Sequence, residues 1–501
     1  MRAGSDVVIT LTEEEAGAAL GLPPLAAPVT GVSIDTRTIR PGDLFIALRG
    51  ERFDGHDFVK AALQAGAAGA VVREGRREGV MAALKAGPRL AGEVSLYVVP
   101  DTLKALWALA RAVRRKSGAL VFAVTGSVGK TTTKDLLGAM VSQCRRVVVT
   151  PANQNNEVGV PLTLLAIDPD TEAVVLELGM RGRGQIAELA SVAEPDIGII
   201  TNIHPVHLEL LGSLDNIAEA KAELLCGLQQ GGVGVVPAGC EILGGPALRA
   251  GCRLIRFGSS EVDQRASSDV RVTLVTEGGG DRSRLCVHWP QGQVVLEVHD
   301  FPGYLTENLA AATAACYAAG LPVADCLEGV GRARLSRGRG EVLDLGALAV
   351  IDDTYNANPA AVQRALERLV DVARRKGGRP VAVLGDMLEL GPEELAFHQQ
   401  VGRYAAHLGV AELWGVGQRS RATVEAFQRE ALEAPAGHLD SLLEISRVIR
   451  ALRAGDVVLV KASRSIGLEK VVATIVEEAQ RGRWEDIACS EPRQPEEIGR
   501  P

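Results

Sequence analysis

Apolar positions along the chain change their rhythm several times, and each change marks a different kind of element. Over residues 1–100 the apolar runs are short (31–34, 43–48 and 70–72) and read as strands around one helical stretch at 57–68. A helical pattern with a basic end, 103–116, leads into the next block. Residues 101–337 alternate strand-like and helix-like segments. Their strands are expected at 120–124, 146–150, 173–178, 196–201 and 234–237, the arrangement of a doubly wound parallel sheet. Between 253 and 300 the pattern shortens to strict alternation over 270–275, 285–289 and 294–298, which predicts a small β insertion. Residues 338–480 return to βα alternation, with strands at 347–351, 380–384, 412–415 and 456–460, and predict a Rossmann-like domain. The polar, Pro- and Glu-rich residues 481–501 predict a disordered tail. The expected fold class is therefore α/β in three domains: a small mixed domain at 1–100, a central P-loop-type domain at 101–337 and a C-terminal Rossmann-like domain at 338–480.

Composition adds exclusions. A chain of 501 residues is too long for one hydrophobic core. A net charge of −8 leaves no basic field for a nucleic acid. No apolar run is long enough to span a bilayer, and Met1 to Asp6 carry no signal core. The eight cysteines (Cys144, Cys226, Cys240, Cys252, Cys286, Cys316, Cys326 and Cys489) show no C-x-x-C spacing and read as reduced thiols rather than a disulfide or zinc framework. A cytoplasmic location and a monomeric state are expected.

The segment Gly126-Ser127-Val128-Gly129-Lys130-Thr131-Thr132 follows the run 120–124 and precedes a helical pattern. In that order, backbone N–H groups and a helix N-terminus cradle phosphates, the lysine reaches the β/γ-phosphates and the threonine hydroxyl meets Mg²⁺. The loop is shortened, because Val124 stands where the general motif places its first glycine. Nucleoside triphosphate binding is the chemistry it indicates.

Ligands of open parallel sheets gather beyond the carboxyl ends of strands, and those ends are polar here. Glu177 ends one strand and is a candidate metal carboxylate; Asn202, His204, His207 and Glu209 follow another. Asp352-Asp353-Thr354-Tyr355-Asn356, Gly385-Asp386 and Lys461-Ala462-Ser463-Arg464 follow three more. Two such edges are expected to face a shared domain cleft. Lys221 is unusual, since on the helical pattern 215–228 it takes a core-facing slot in the stripe of Ile217, Leu224 and Leu228. Such a lysine either snorkels to the helix edge or pairs with a carboxylate, or else is a desolvated amine of lowered pKa, able to take up CO₂ as a carbamate.

These strings together resemble the Mur ligase family. The resemblance runs from about 31 to about 470 and rests on Ser33-Ile34-Asp35-Thr36-Arg37, the 125–132 loop, Asn155-Asn156, Glu177-Leu178-Gly179, His207-Leu208-Glu209, Ala220-Lys221, Asp353-Thr354-Tyr355-Asn356-Ala357-Asn358-Pro359, Gly385-Asp386-Met387-Leu388-Glu389-Leu390-Gly391 and Lys461-Ala462-Ser463-Arg464. The Tyr355 to Pro359 and Gly385 to Gly391 strings look like the member that joins UDP-N-acetylmuramoyl-tripeptide to D-alanyl-D-alanine. The resemblance implies ATP-driven amide formation through an acyl phosphate, in peptidoglycan precursor synthesis. It implies that Lys130, Glu177, His207 and Lys221 are catalytic. Gly126, Ser127, Val128, Gly129, Lys130, Thr131, Thr132, Asn308, Arg339 and Asp353 would bind ATP. Thr131, Glu177, His207 and a carbamylated Lys221 would hold two Mg²⁺ ions. Ser33, Asp35, Thr36, Arg37, Asn156, Tyr355, Asn356, Asn358, Lys461, Ser463 and Arg464 would meet UDP-MurNAc-tripeptide and D-Ala-D-Ala. The segment Tyr304-Leu305-Thr306-Glu307 before Asn308 departs from the family, which usually carries a His-Asn pair and one more residue there. Another Mur-type or folylpolyglutamate-type ligase, or a non-catalytic nucleotide-binding regulator, are the alternative readings.

Overall fold

A central strand, Leu120–Thr125, is apolar at every position from Leu120 to Val124 and buried on both faces, as strands of a parallel sheet covered by helices must be. It is the middle of a computed structural model that describes residues 8–86, 94–204, 208–259, 268–275, 282–299 and 301–484. By internal contacts the chain divides into two units, 1–203 with 213–334, and 204–212 with 335–501.

The first unit holds two sheets. A four-stranded parallel sheet runs in chain order through Val32–Ser33, Leu44–Ile46, Gly69–Arg73 and Leu96–Val99. The last of these strands is not signalled by the sequence pattern. The helical stretch expected at 57–68 is shorter, Val59–Gln64, entered through a 3₁₀ turn at Gly55–Phe58. Asp101 caps the helix Thr102–Ser117 by accepting from the N–H groups of Leu103 and Lys104, and Gly118 ends it with φ +63°. The buried Arg114 of that helix donates to the carbonyls of Ala119, Ala193 and Glu194 and to Asp196 at 2.9 Å. Its guanidinium thus satisfies carbonyls just before two neighbouring central strands, Leu120–Thr125 and Ile197–Ile200, that would otherwise be buried unpaired.

The second sheet has nine strands. Its parallel centre contains Val147–Val149, Ala173–Glu177, Leu120–Thr125, Ile197–Ile200 and Val233–Pro237, in that spatial order. The expected β insertion is present, and its strands extend the same sheet. An unanticipated strand, Arg253–Ser259, pairs in parallel with Val233–Pro237 and carries Val270–Val275, Arg282–Trp289 and Gly292–His299 outward on the same sheet. The physical reason is the apolar set Ile255, Phe257, Val270, Val272, Leu285 and Val287, all at most 4% exposed, which packs on a helix, Thr306–Ala318, and so needs the continuous sheet beneath it.

The second unit contains a six-stranded sheet in the order Glu341–Asp344, Ala349–Asp352, Asp456–Lys461, Arg379–Gly385, Glu412–Val416 and Ala436–Leu439. All pairs are parallel except the first. The two edge strands are absent from the sequence reading, being short and only half-buried. Arg379 bridges the starts of three adjacent strands, at 2.8 Å from Asp456 and 2.7 Å from Glu412, both buried carboxylates. Trp484, placed by sequence in a disordered tail, is instead 2% exposed and donates its indole N–H to the Leu452 carbonyl at 3.1 Å. The ordered unit thus extends past residue 481 because an aromatic ring completes its core. Residues 485–501 lie outside the described residues. Among the described residues, no helix is long and apolar enough to cross a membrane.

Candidate active site

The loop after Leu120–Thr125 turns on two glycines at positive φ, where a side chain would be strained. Gly126 (φ +150°) would drive a Cβ to 1.9 Å from Thr201 Oγ1, and Gly129 (φ +81°) would drive one to 2.3 Å from Asn308 Nδ2. The strand end at Ile197–Ile200 anchors the loop. Asn202 accepts from the Val128 N–H through Oδ1 (2.9 Å) and from the Ser127 N–H through its carbonyl (3.1 Å), while Thr201 Oγ1 donates to Val128 O at 2.6 Å. Asn308, at the start of Thr306–Ala318, donates to Gly129 O (3.2 Å) and Thr133 Oγ1 (3.0 Å). The shortened segment before Asn308 therefore still delivers that side chain to the loop. Lys130 begins the helix Lys130–Val141 and lays its ammonium 2.7 Å from Gly126 O.

Thr131 donates to Glu177 Oε2 at 2.6 Å, and Asn155 donates to Glu177 Oε1 at 2.8 Å. Glu177 is 2% exposed, and no lysine or arginine pairs with it among the described residues. A buried carboxylate held only by a hydroxyl and an amide is a position that a divalent cation suits. The turn that presents Asn155 is itself held from below: the fully buried Lys134 donates to Thr150 O at 2.9 Å, and Thr150 Oγ1 accepts from the Glu177 N–H at 3.1 Å.

Lys221 lies on the helix Leu214–Cys226, which Ser213 caps by accepting from Asn216 N–H. It is 1% exposed between the buried Ile217 and Leu224. No ion-pair or hydrogen-bond partner lies against it among the described residues. Burial, and secondarily the charge of Lys130, hold its pKa well below the ordinary lysine value. Two amines that repel each other's protons, one of them on the phosphate loop whose Thr131 meets a buried carboxylate, suit a polyphosphate and its metal. His207, expected as a metal ligand here, lies outside the described residues.

The other expected residues fall elsewhere in their units. Ser33 ends the strand Val32–Ser33 and donates to Asp35 O at 2.9 Å; Thr36 is half-buried beside it. Arg37 grips the Asp35 carboxylate, holding its pKa down to about 2 while remaining itself exposed. Asn156 uses its Oδ1 to accept from Gly159 N–H at 2.9 Å, just ahead of the helix Gly159–Leu165.

In the second unit, Lys461 ends its strand and donates to Asp353 Oδ2 (2.6 Å) and Asn356 O (2.8 Å). Burial pushes the Asp353 carboxyl up, and the Lys461 ammonium opposes that rise. Arg339 stacks its guanidinium 3.9 Å from the Tyr355 ring centre, and Arg464 approaches the same ring at 5.8 Å. Asn358 caps Pro359–Lys376 through the Ala361 N–H. Asn356 accepts from Ala357 N–H, and Ser463 accepts from Leu388 N–H at 2.9 Å, which ties the Gly385 to Gly391 turn to the end of Asp456–Lys461.

Sequence reasoning singled out Asn155 and Asn202 without assigning them a role, and missed Lys134 and His398 as site-shaping residues. Asn155 and Asn202 had a signal, since both follow strand ends, but Lys134 and His398 sit in helical patterns with none. His398, fully buried, accepts from Met387 N–H through Nε2 (3.0 Å) and contacts Glu394 O through Nδ1 (2.7 Å), which fixes a neutral ring. Burial lowers its pKa from 6.5. As pH falls through 6.5 the unfolded chain binds a proton that the folded one refuses, so this contribution to stability is complete above that value and declines below it. The urea midpoint of this unit is expected to fall between about pH 7.5 and about pH 5.5, and the fall should shrink in His398→Gln. Identical pH slopes for the two proteins would contradict the assignment.

The geometry has relatives. The profile of the Mur ligase middle domain matches residues 124–316, that of the Mur ligase glutamate ligase domain 338–464, and that of the Mur ligase family catalytic domain 28–114. The chain is 36% identical over 457 residues to the UDP-N-acetylmuramoyl-tripeptide–D-alanyl-D-alanine ligase of Synechocystis sp., covering 90% of this chain and 92% of the relative. Its fold matches the crystal structure of MurF from Acinetobacter baumannii with a TM-score of 0.79 at 28% identity, over 94% of this chain and 99% of that one. It also matches the MurF ligase from Thermotoga maritima in complex with ADP (TM-score 0.74, 26% identity, 90% and 98% covered). With the phosphate loop, its buried carboxylate and the second, Rossmann-like unit all falling within these matches, the chain belongs to the Mur ligase family.

Proposed function

We propose that this chain is an ATP-dependent ligase that adds D-alanyl-D-alanine to UDP-N-acetylmuramoyl-tripeptide in peptidoglycan precursor synthesis. The relatives of that name, which align with about 90% of the chain, support the substrate class. The observation that carries the chemistry is the buried Thr131–Glu177 contact, with Lys130 at the same loop and the unpaired Lys221 amine under its field. A nucleotide-linked substrate supports a cytoplasmic site of work.

In this reading the tripeptide carboxylate attacks the γ-phosphorus of ATP, and ADP leaves from an acyl phosphate. The D-Ala-D-Ala amine then attacks the acyl carbon, and phosphate departs from the tetrahedral intermediate. The loop N–H groups orient the phosphates, and the Lys130 ammonium stabilises charge on the transferring phosphoryl. Thr131 and Glu177 would hold one Mg²⁺; Lys221, as a carbamate, and His207 would hold a second. These ions, when bound, offset the charge of two anions brought together. Lys221 is suited to its part because a neutral amine can bond to CO₂, releasing one proton and leaving a carboxylate-like group. Asp353 with Arg339 serves the adenosine side, and Asp35, Thr36 and Arg37 the nucleotide sugar. Lys461, Ser463 and Arg464 serve a substrate carboxylate or the phosphoryl group.

The deciding experiment is ADP release with UDP-MurNAc-tripeptide. D-Ala-D-Ala should stimulate it at least about a hundred-fold over single amino acids. Equal stimulation by a single amino acid would move the reading to a sister ligase, and no substrate-stimulated release at all would indicate a non-catalytic nucleotide binder.

A further inference from the structure

The phosphate-loop helix Lys130–Val141 ends beside a cluster of thiols that the ligase chemistry does not use. Cys144, just past that end, lies with its Sγ 3.6 Å from the Sγ of Cys326, which belongs to the helix Val323–Leu327, 182 positions along the chain. Cys316 of Thr306–Ala318 donates a hydrogen bond to Cys326. All are free thiols, Cys316 and Cys326 buried and Cys144 partly exposed.

The backbones around the pair are pressed together. A Cβ on Gly329 would sit 2.3 Å from the Ala139 carbonyl oxygen, and Arg332 donates to Gln143 at 2.6 Å. Two segments distant in sequence are thus clamped on either side of the sulfurs. A disulfide needs the sulfurs about 2 Å apart, so closure asks for an approach of about 1.5 Å, within reach of side-chain rotation.

We propose that Cys144 and Cys326 form a modification site, closed to an internal disulfide by a small-molecule disulfide and reopened by a small-molecule thiol. The Cys144 thiolate attacks one sulfur of the small disulfide, forming a mixed disulfide and releasing the first small thiol. The Cys326 thiolate then attacks the Cys144 sulfur and releases the second. Two protein thiols are oxidised, one small disulfide is reduced to two thiols, and the two protein protons end on those thiols. Burial pushes the Cys144 thiol up to about 11, which makes the first step slow. The hydrogen bond from Cys316 draws Cys326 down to about 7, so the second step has its thiolate at hand near neutral pH. Access agrees with this order, since only Cys144 of the three reaches solvent.

The cross-link would join the outer end of the phosphate-loop helix to Val323–Leu327. It lies about 18 Å, at 1.5 Å per residue, from the end of that helix that carries Lys130 and Thr131. It therefore stabilises the nucleotide-binding unit without moving the phosphate loop. Closing so long a loop restricts the unfolded chain strongly.

The test uses the full chain, reduced and then incubated with oxidised glutathione. Remaining thiols are alkylated in urea, and digestion with trypsin and chymotrypsin separates Cys316 from Cys326 after Tyr317. The expected product is a Cys144 peptide linked to a Cys326 peptide. It should be accompanied by a rise of about 5 °C in thermal unfolding that dithiothreitol reverses and Cys144→Ser lacks, with ADP release kept within about twofold. Glutathione remaining on Cys144, a Cys316–Cys326 link, or no link in the native protein would overturn the proposal. A Cys144–Cys326 link that abolishes ADP release would overturn its stabilising role.

Discussion

Lys221→Ala is expected to lower turnover by about a thousand-fold or more, with partial recovery when bicarbonate is replaced by formate, acetate or propionate at high concentration. The expectation follows from burial. Lys221 is 1% exposed on Leu214–Cys226, and no described carboxylate compensates its charge. Desolvation, and then repulsion from Lys130, favour the neutral amine, the form that bonds to CO₂. A short carboxylic acid could occupy the space that the alanine vacates and present oxygens where the carbamate's would be. ADP release measured against acid concentration checks this. Carbon-13 bicarbonate should add one carbamate resonance to the parent protein and none to the variant. Unchanged turnover in Lys221→Ala would sink the carbamate reading. A variant equally inactive at every acid concentration, with a lowered unfolding midpoint, would show that Lys221 serves the fold instead.

Lys130→Ala should cost turnover by about three orders of magnitude while changing the affinity for the UDP-linked substrate by less than about threefold. Its ammonium lies at the phosphate loop, 2.7 Å from Gly126 O, whereas Asp35 and Arg37 follow the first strand of the other sheet of the same unit. Calorimetric titration of the UDP-linked substrate against ADP-release kinetics separates the two quantities, and equal losses in both would contradict the assignment. A second consequence follows from the repulsion between the two lysines. Removing Lys130 relieves part of what holds the Lys221 amine neutral, so carbamate formation in Lys130→Ala should shift to higher pH. The losses in the double variant should then fall short of additive.

The strand–loop–helix at 120–141 was legible because each of its parts carries a local signal: an apolar run, glycines at fixed offsets and a helical pattern. Gly126 and Gly129 show why those offsets matter, since each is fitted against a side chain from another strand end or helix. Lys221 was legible as a lysine in an apolar stripe. The strands Leu96–Val99, Glu341–Asp344 and Ala436–Leu439 were not, because they are short, half-buried and at or near sheet edges, where no alternating pattern is enforced. The strands after Arg253 were legible as strands, but their membership of the nine-stranded sheet was not, since pairing is decided by partners distant in the chain.

By itself, then, the sequence determined the α/β class, the position of the phosphate loop, its lysine and threonine, and the resemblance that names the family, because these depend on residue type and short spacing. Tertiary structure alone decided that Thr131 and Asn155 share Glu177, that Lys134 and Thr150 hold the strand end beneath them, and that Cys144 meets Cys326. Those contacts join residues from 16 to 182 positions apart. Only the folded sheet, with its helices packed across it, brings them within hydrogen-bonding range, and no local pattern encodes a meeting of that kind.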